Sequence, residues 1–99
     1  MYARYAREMG CEPSELANWL PQAMGEYFSQ TGFWLDRLHV LGPKTPLISI
    51  RATTLARRRI ALMNLPVTRV EFDFPEDWPS QKIELCMARF DLYTRRGGG

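Results

Sequence analysis

Between Ser14 and Phe28 the apolar positions fall at Leu16, Trp19, Leu20, Ala23, Met24, Tyr27 and Phe28. This is the i, i+3, i+4, i+7, i+8 spacing of one helix face, and it predicts an amphipathic helix beginning at Glu12 or Ser14. Pro21 interrupts the stripe, because proline donates no N–H and crowds the turn before it. The expectation there is a kink, or a second helix with Pro21 in its first turn. Upstream, Tyr2 to Met9 reads as a short helix stopped by Gly10, and Cys11-Glu12-Pro13 reads as a turn.

After Thr31-Gly32, the residues Trp34, Leu38 and Leu41 fit one helical face and Gly42-Pro43 supplies a stop. A helix over 33–41 is therefore favoured. A strand is the alternative, because Phe33, Leu35 and Trp34, Val40 also read in alternation. Pro43 to Pro46 is a loop, and Leu47 to Arg51 is a strand rich in aliphatic residues. Thr53 or Thr54 caps a predicted helix from Leu55 to Met63, which Asn64 and Pro66 end.

Val67 to Phe74 alternates cleanly, with Val70, Phe72 and Phe74 on one face and Arg69, Glu71 and Asp73 on the other. It is a strand. Pro75-Glu76-Asp77-Trp78-Pro79 is a rigid loop, after which Ser80 caps a last helix. That helix should bury Ile83, Cys86, Met87, Phe90 and Tyr93, pair Asp91 with Arg95 at i, i+4, and stop at Gly97. If the two strands pair through the helix between them, they are parallel with a right-handed crossover.

These elements predict an α+β chain. We expect one helix-rich compact domain over residues 1–96, with N-terminal helices, a small sheet and a strand–helix–strand–helix C-terminal half. Residues 97–99 form a flexible Gly tail. The composition allows a core: of 99 residues, 45% are hydrophobic and 12% aromatic. The 24% charged share is near that of ordinary globular proteins, which argues against disorder. No apolar run reaches the length of a signal peptide core or a membrane span, so no membrane partner is expected. Two cysteines, Cys11 and Cys86, are too few for a disulfide scaffold. They read as small buried hydrophobes with free thiols, and the expected compartment is the cytoplasm.

Net charge is only +2, but its placement is uneven. The segment 37–70 holds seven basic residues and no acid, whereas the rest carries six basic and eleven acidic side chains. Segregation of this kind orients a partner, attracts phosphate, or pairs two copies head to tail. Within the segment, Arg57-Arg58-Arg59 with Arg51 and Arg69 is the candidate nucleic-acid surface, since the guanidinium fork suits phosphate. Three consecutive residues on a helix would fan through about 200°, placing one along the core edge. No aromatics interleave with them for stacking on bases.

Ala6 to Leu20 resembles the helix-turn-helix pattern: Ala6, then Gly10 four later, Cys11 next, and apolar residues six and nine beyond Gly10 at Leu16 and Trp19. The resemblance covers 15 of the 99 residues. It implies a second helix in the DNA major groove, with Glu12, Ser14, Glu15 and Asn18 at the base-contacting positions. Those positions hold no Arg or Lys, and two carboxylates oppose phosphate. A packing corner is the plainer reading. The tail Arg95-Arg96-Gly97-Gly98-Gly99 is similar to the terminal Gly-Gly of ubiquitin-like proteins. Their tail follows a strand whereas this one follows a predicted helix, so it reads as a cap and frayed end.

The remaining chemistry is sparse. Glu71, Asp73, Glu76 and Asp77 have neither calcium-loop nor facial-triad spacing. His39 is the single histidine, so a zinc site or a Cys–His nucleophile would need Cys11 or Cys86 folded beside it. No cofactor and no metal are expected. By exclusion, the sequence predicts a non-catalytic binding or accessory module that recognises a protein partner, itself included, through Trp78, Trp34 and Arg57–Arg59. Nucleic-acid binding by segment 37–70 is the alternative, and a thiol-dependent enzyme is third.

Overall fold

The structure, a computed structural model, describes residues 3–94. The chain runs β1 (Ala3–Met9), α1 (Pro13–Met24), a 3-10 turn (Gly25–Gln30), β2 (Thr31–Leu35), β3 (Leu38–Leu41), β4 (Ile48–Thr54), β5 (Arg58–Ile60), β6 (Met63–Leu65), β7 (Thr68–Phe74) and α2 (Ser80–Thr94). Five strands form a mixed sheet in the order β1-β7-β4-β2-β3. The β2–β4 pair is parallel and the other three pairings are antiparallel. Strands β5 and β6 make a separate two-stranded ribbon.

The α+β class stands, but the helix-rich architecture does not. Among the described residues, two helices and seven strands replace it, and the first element is the strand β1. Residues 3–9 are strong helix formers, yet they extend because all seven pair with β7, from Ala3↔Phe74 to Met9↔Thr68. Pairing overrides local propensity here. That strand also removes the first helix of the helix-turn-helix resemblance.

The favoured helix over 33–41 is a β2–β3 hairpin, so the strand alternative holds. Its turn places Asp36 and Arg37 at positive φ, 48° and 73°. The helix expected over 55–63 is the β5–β6 ribbon, and Thr53 and Thr54 continue β4 instead of capping it. The two longest central strands, β4 and β7, are consequently antiparallel neighbours, with no helical crossover between them. The C-terminal half is strand–ribbon–strand–helix.

Other elements follow their patterns. Glu12 is the N-cap of α1, and its N–H donates to Glu15 Oε2 at 3.0 Å. The helix passes through Pro21 without splitting, and Leu16, Leu20, Ala23 and Met24 are buried. In α2, Ile83, Cys86, Met87 and Phe90 are buried as expected, whereas Tyr93 is 42% exposed and Thr94 takes the inner position. Asp91 is engaged by Arg7 of β1, and its expected partner Arg95, like Gly97 and the Gly tail, lies outside the described residues.

Both helices cover the same face of the sheet. Val70, Phe72 and Phe74 of β7, Ile48, Ile50 and Ala52 of β4, and Phe33 of β2 are buried against them. Phe72 meets Phe90 edge-on with centroids 4.7 Å apart. Cys11 and Cys86 are buried within this core and are not bridged to one another. Among the described residues, no helix covers the opposite face of the sheet. Among the described residues, no helix is long and apolar enough to cross a membrane.

Candidate functional site

Two surfaces stand out from this frame: the uncovered sheet face and the β5–β6 arm. Alternation along each strand decides what the uncovered face shows. Register places Ala6, Glu71, Arg51, Trp34 and His39 in one row across all five strands. A neighbouring row holds Arg4, Asp73, Ser49 and Gly32.

Charge on this face is tied into a ladder. Asp73 Oδ1 accepts from Arg4 Nε at 2.9 Å, and its Oδ2 lies 2.9 Å from Arg51 Nη2. The hydrogen bond and charge of Asp73 push the Arg4 guanidinium further above its ordinary range. Glu71 is 4.0 Å from Arg69 Nε. The Arg51 Nε and Nη2 atoms are shielded from solvent without an aligned hydrogen bond, so the Nη2–Asp73 contact is Coulombic.

Trp34 lies flat along β2. A Cβ built on Gly32 would stand 2.7 Å from the Trp34 ring atoms Cη2 and Cζ3, and 2.7 Å from the Pro43 carbonyl oxygen. Only glycine admits both neighbours. His39 packs edge-on to the indole with centroids 5.4 Å apart, and its Nε2 lies 2.8 Å from the Gly42 carbonyl oxygen. Gly42, at φ 80°, lets the following loop cross the start of β2 and bring Lys44 to the rim. The outcome is a shallow depression of about 640 Å³ bordered by Trp34, Arg37, Lys44, Arg51, Glu71 and Asp73. Arg37 and Lys44 have no carboxylate partner among the described residues.

The arm continues the β4–β7 hairpin beyond the last sheet pair, Thr54↔Thr68. Its base is held by ion pairs from Arg57 to Glu12 at 3.0 Å and from Arg58 to Glu8 at 3.1 Å. Arg59 is exposed. The three arginines thus lie on an extended segment, not fanned around a helix, and two are already neutralised. At the tip, Leu62 is fully exposed, and Ile60 and Met63 are 52% and 60% exposed.

The sequence-selected residues are therefore scattered. Arg51, Arg69 and Trp34 share the uncovered face, and Arg57, Arg58 and Arg59 mark the arm. Trp78 is half-buried, packed on Tyr27 and Phe74, with Lys82 Nζ 4.2 Å above its ring. His39 contacts Trp34 and Gly42 and neither thiol. Burial pushes the Cys86 thiol up, with Arg89 opposing, so it stays protonated at neutral pH. It borders a smaller groove of about 370 Å³ between α1 and α2, beside Met24, Tyr27 and Leu85.

Sequence reasoning missed Arg4, Arg37 and Lys44 as members of one face, and the apolar tip entirely. The signal for the tip was weak, because Ala61-Leu62 lacks the Gly or Asn that marks a two-residue hairpin turn. No protein-family model matches this sequence, and no curated protein or solved structure is significantly similar to it.

Proposed function

We propose that the chain is a non-catalytic accessory module of the cytoplasm that recognises a protein partner through the β5–β6 arm. One observation carries this reading. Ile60, Leu62 and Met63 place three large apolar side chains in water at the end of a projecting ribbon. Burying one such side chain in a partner is worth about 1.5–3 kcal/mol, and an apolar tip with a charged base has the anatomy of an interface anchor and rim. Arg59, which has no carboxylate partner among the described residues, supplies a rim cation. A second copy of the chain is the first partner to test.

The experiment replaces Leu62 by a photoreactive benzophenone residue in cells, with the exposed helix position Ala88 as control. Protein adducts specific to position 62 are expected. Light scattering on the purified chain then tells whether the partner is a second copy, and Leu62→Asp should abolish any such association. Equal adduct patterns from positions 62 and 88 would overturn the arm as the recognition element.

A further inference from the structure

We infer that the uncovered face of the five-stranded sheet binds single-stranded nucleic acid, with a base stacked on Trp34 and the flanking phosphates held by Arg37 and Lys44. Single-strand binders combine a flat aromatic platform with cations that follow the backbone. Both parts are preformed here. Gly32 lets the indole lie flat on the strand, His39 holds its edge, and the half-buried ring lines the depression.

Charge selects the ligand. Arg4, Arg37, Lys44, Arg51 and Arg69 stand against Glu71 and Asp73, while Asp36 in the turn is hydrogen-bonded to Thr54 and Glu8 at the edge is committed to Arg58. Both acids on the floor are already paired with arginines. Of these five cations, Arg37 and Lys44 have no acidic partner among the described residues, and both line the depression with Trp34. A ring on Trp34 and a phosphate at the rim fit that order. The depression also matches the size of sites that take a nucleotide-sized group.

Arg37 adds an independent argument. It holds φ 73° in the β2–β3 turn, where glycine is the unstrained residue. A long cation stands there at the expense of turn stability, and strain of this kind collects at functional positions. Stability and binding therefore pull apart at this residue. Arg37→Gly should melt at a higher temperature than the parent and bind nucleic acid more weakly.

The test is fluorescence anisotropy with a short labelled single strand, a duplex of the same sequence and a mononucleotide competitor, over a salt series. The single strand is expected to bind with micromolar affinity, more tightly than the duplex or the mononucleotide. Trp34→Leu should weaken it roughly tenfold, the worth of one stacked base. Arg37→Gly and Lys44→Ala should each flatten the salt slope by about 0.7, the share of one phosphate contact on a single strand. Leu92→Ala, at an exposed position of α2, should leave binding unchanged. Absence of binding at low salt overturns the proposal, as does affinity unaltered in Trp34→Leu and Arg37→Gly. Duplex or mononucleotide binding as tight as that of the strand overturns it too.

Discussion

The Asp36 carboxylate accepts two hydrogen bonds from Thr54, one from the backbone N–H and one from the hydroxyl, each 3.0 Å long. These bonds tie the β2–β3 turn to the end of β4, across two strands distant in sequence. They also fix the turn that presents Arg37. Asp36→Ala should cost about 1 kcal/mol, since charge-assisted bonds are strong but these are exposed. Thr54→Ala, which keeps the backbone donor, should cost about half as much. Urea denaturation monitored by circular dichroism measures both, and a neutral Asp36→Ala would show that the turn holds without Thr54.

Gly32 is the second fixed point of this face. An added methyl would meet the Trp34 ring and the Pro43 carbonyl oxygen, both at 2.7 Å. The ring can rotate away, whereas the carbonyl belongs to the backbone and must move with its loop. Gly32→Ala should destabilise the protein by about 1–3 kcal/mol, the usual cost of overpacking. It should also alter tryptophan fluorescence by lifting the indole. Unchanged stability and an unchanged spectrum together would refute the close approach.

Legibility in the sequence followed the agreement between local pattern and tertiary demand. β7 and the inner face of α2 were readable because their alternation and helical spacing coincide with their burial. β1 was not, since Ala, Arg, Glu and Met favour helix and only the long-range register with Val70 and Phe72 explains its extension. The β2–β3 hairpin was obscured by Asp36-Arg37, a turn pair without glycine, and by the bulge between Phe33 and Trp34 that breaks the alternation. The site suffered most from this. Arg4, Arg51 and Trp34 lie far apart in sequence, and only strand order brings them to one face. The basic segment 37–70 was visible, but its division into a neutralised arm base and an open rim depends on Glu8 and Glu12 from the other end of the chain.

The arm has its own strained residue. Ala61 takes φ 53° in the two-residue turn between Ile60 and Met63. A left-handed backbone costs an L-residue about 1–2 kcal/mol, a cost glycine escapes. Ala61→Gly should therefore stabilise the ribbon by about 0.5–1 kcal/mol after the added entropy of the unfolded chain is subtracted. Hydrogen exchange at the Ile60 and Met63 amides reports it directly. Slower exchange is expected there, with the sheet amides of β4 and β7 unaffected. Faster exchange would mean that the turn does not hold Ala61 in this conformation.

Cys86 makes stability depend on alkaline pH. Burial raises its folded-state pKa above the ordinary thiol value of about 9, and the nearby Arg89 charge only partly opposes this. The folded protein therefore holds the thiol proton to higher pH than the unfolded chain does. The contribution is fully present below about pH 9 and is lost as pH rises through the folded-state value. Cys86→Ala removes this group. It should lower stability near neutrality by about 1 kcal/mol through lost packing, yet give a flatter decline at alkaline pH. Denaturation curves for both proteins between about pH 8 and pH 10.5 should converge as pH climbs. In the same range, native Cys86 should react with a thiol reagent more slowly than the urea-unfolded chain. Parallel pH profiles for the two proteins would assign the alkaline loss to other groups.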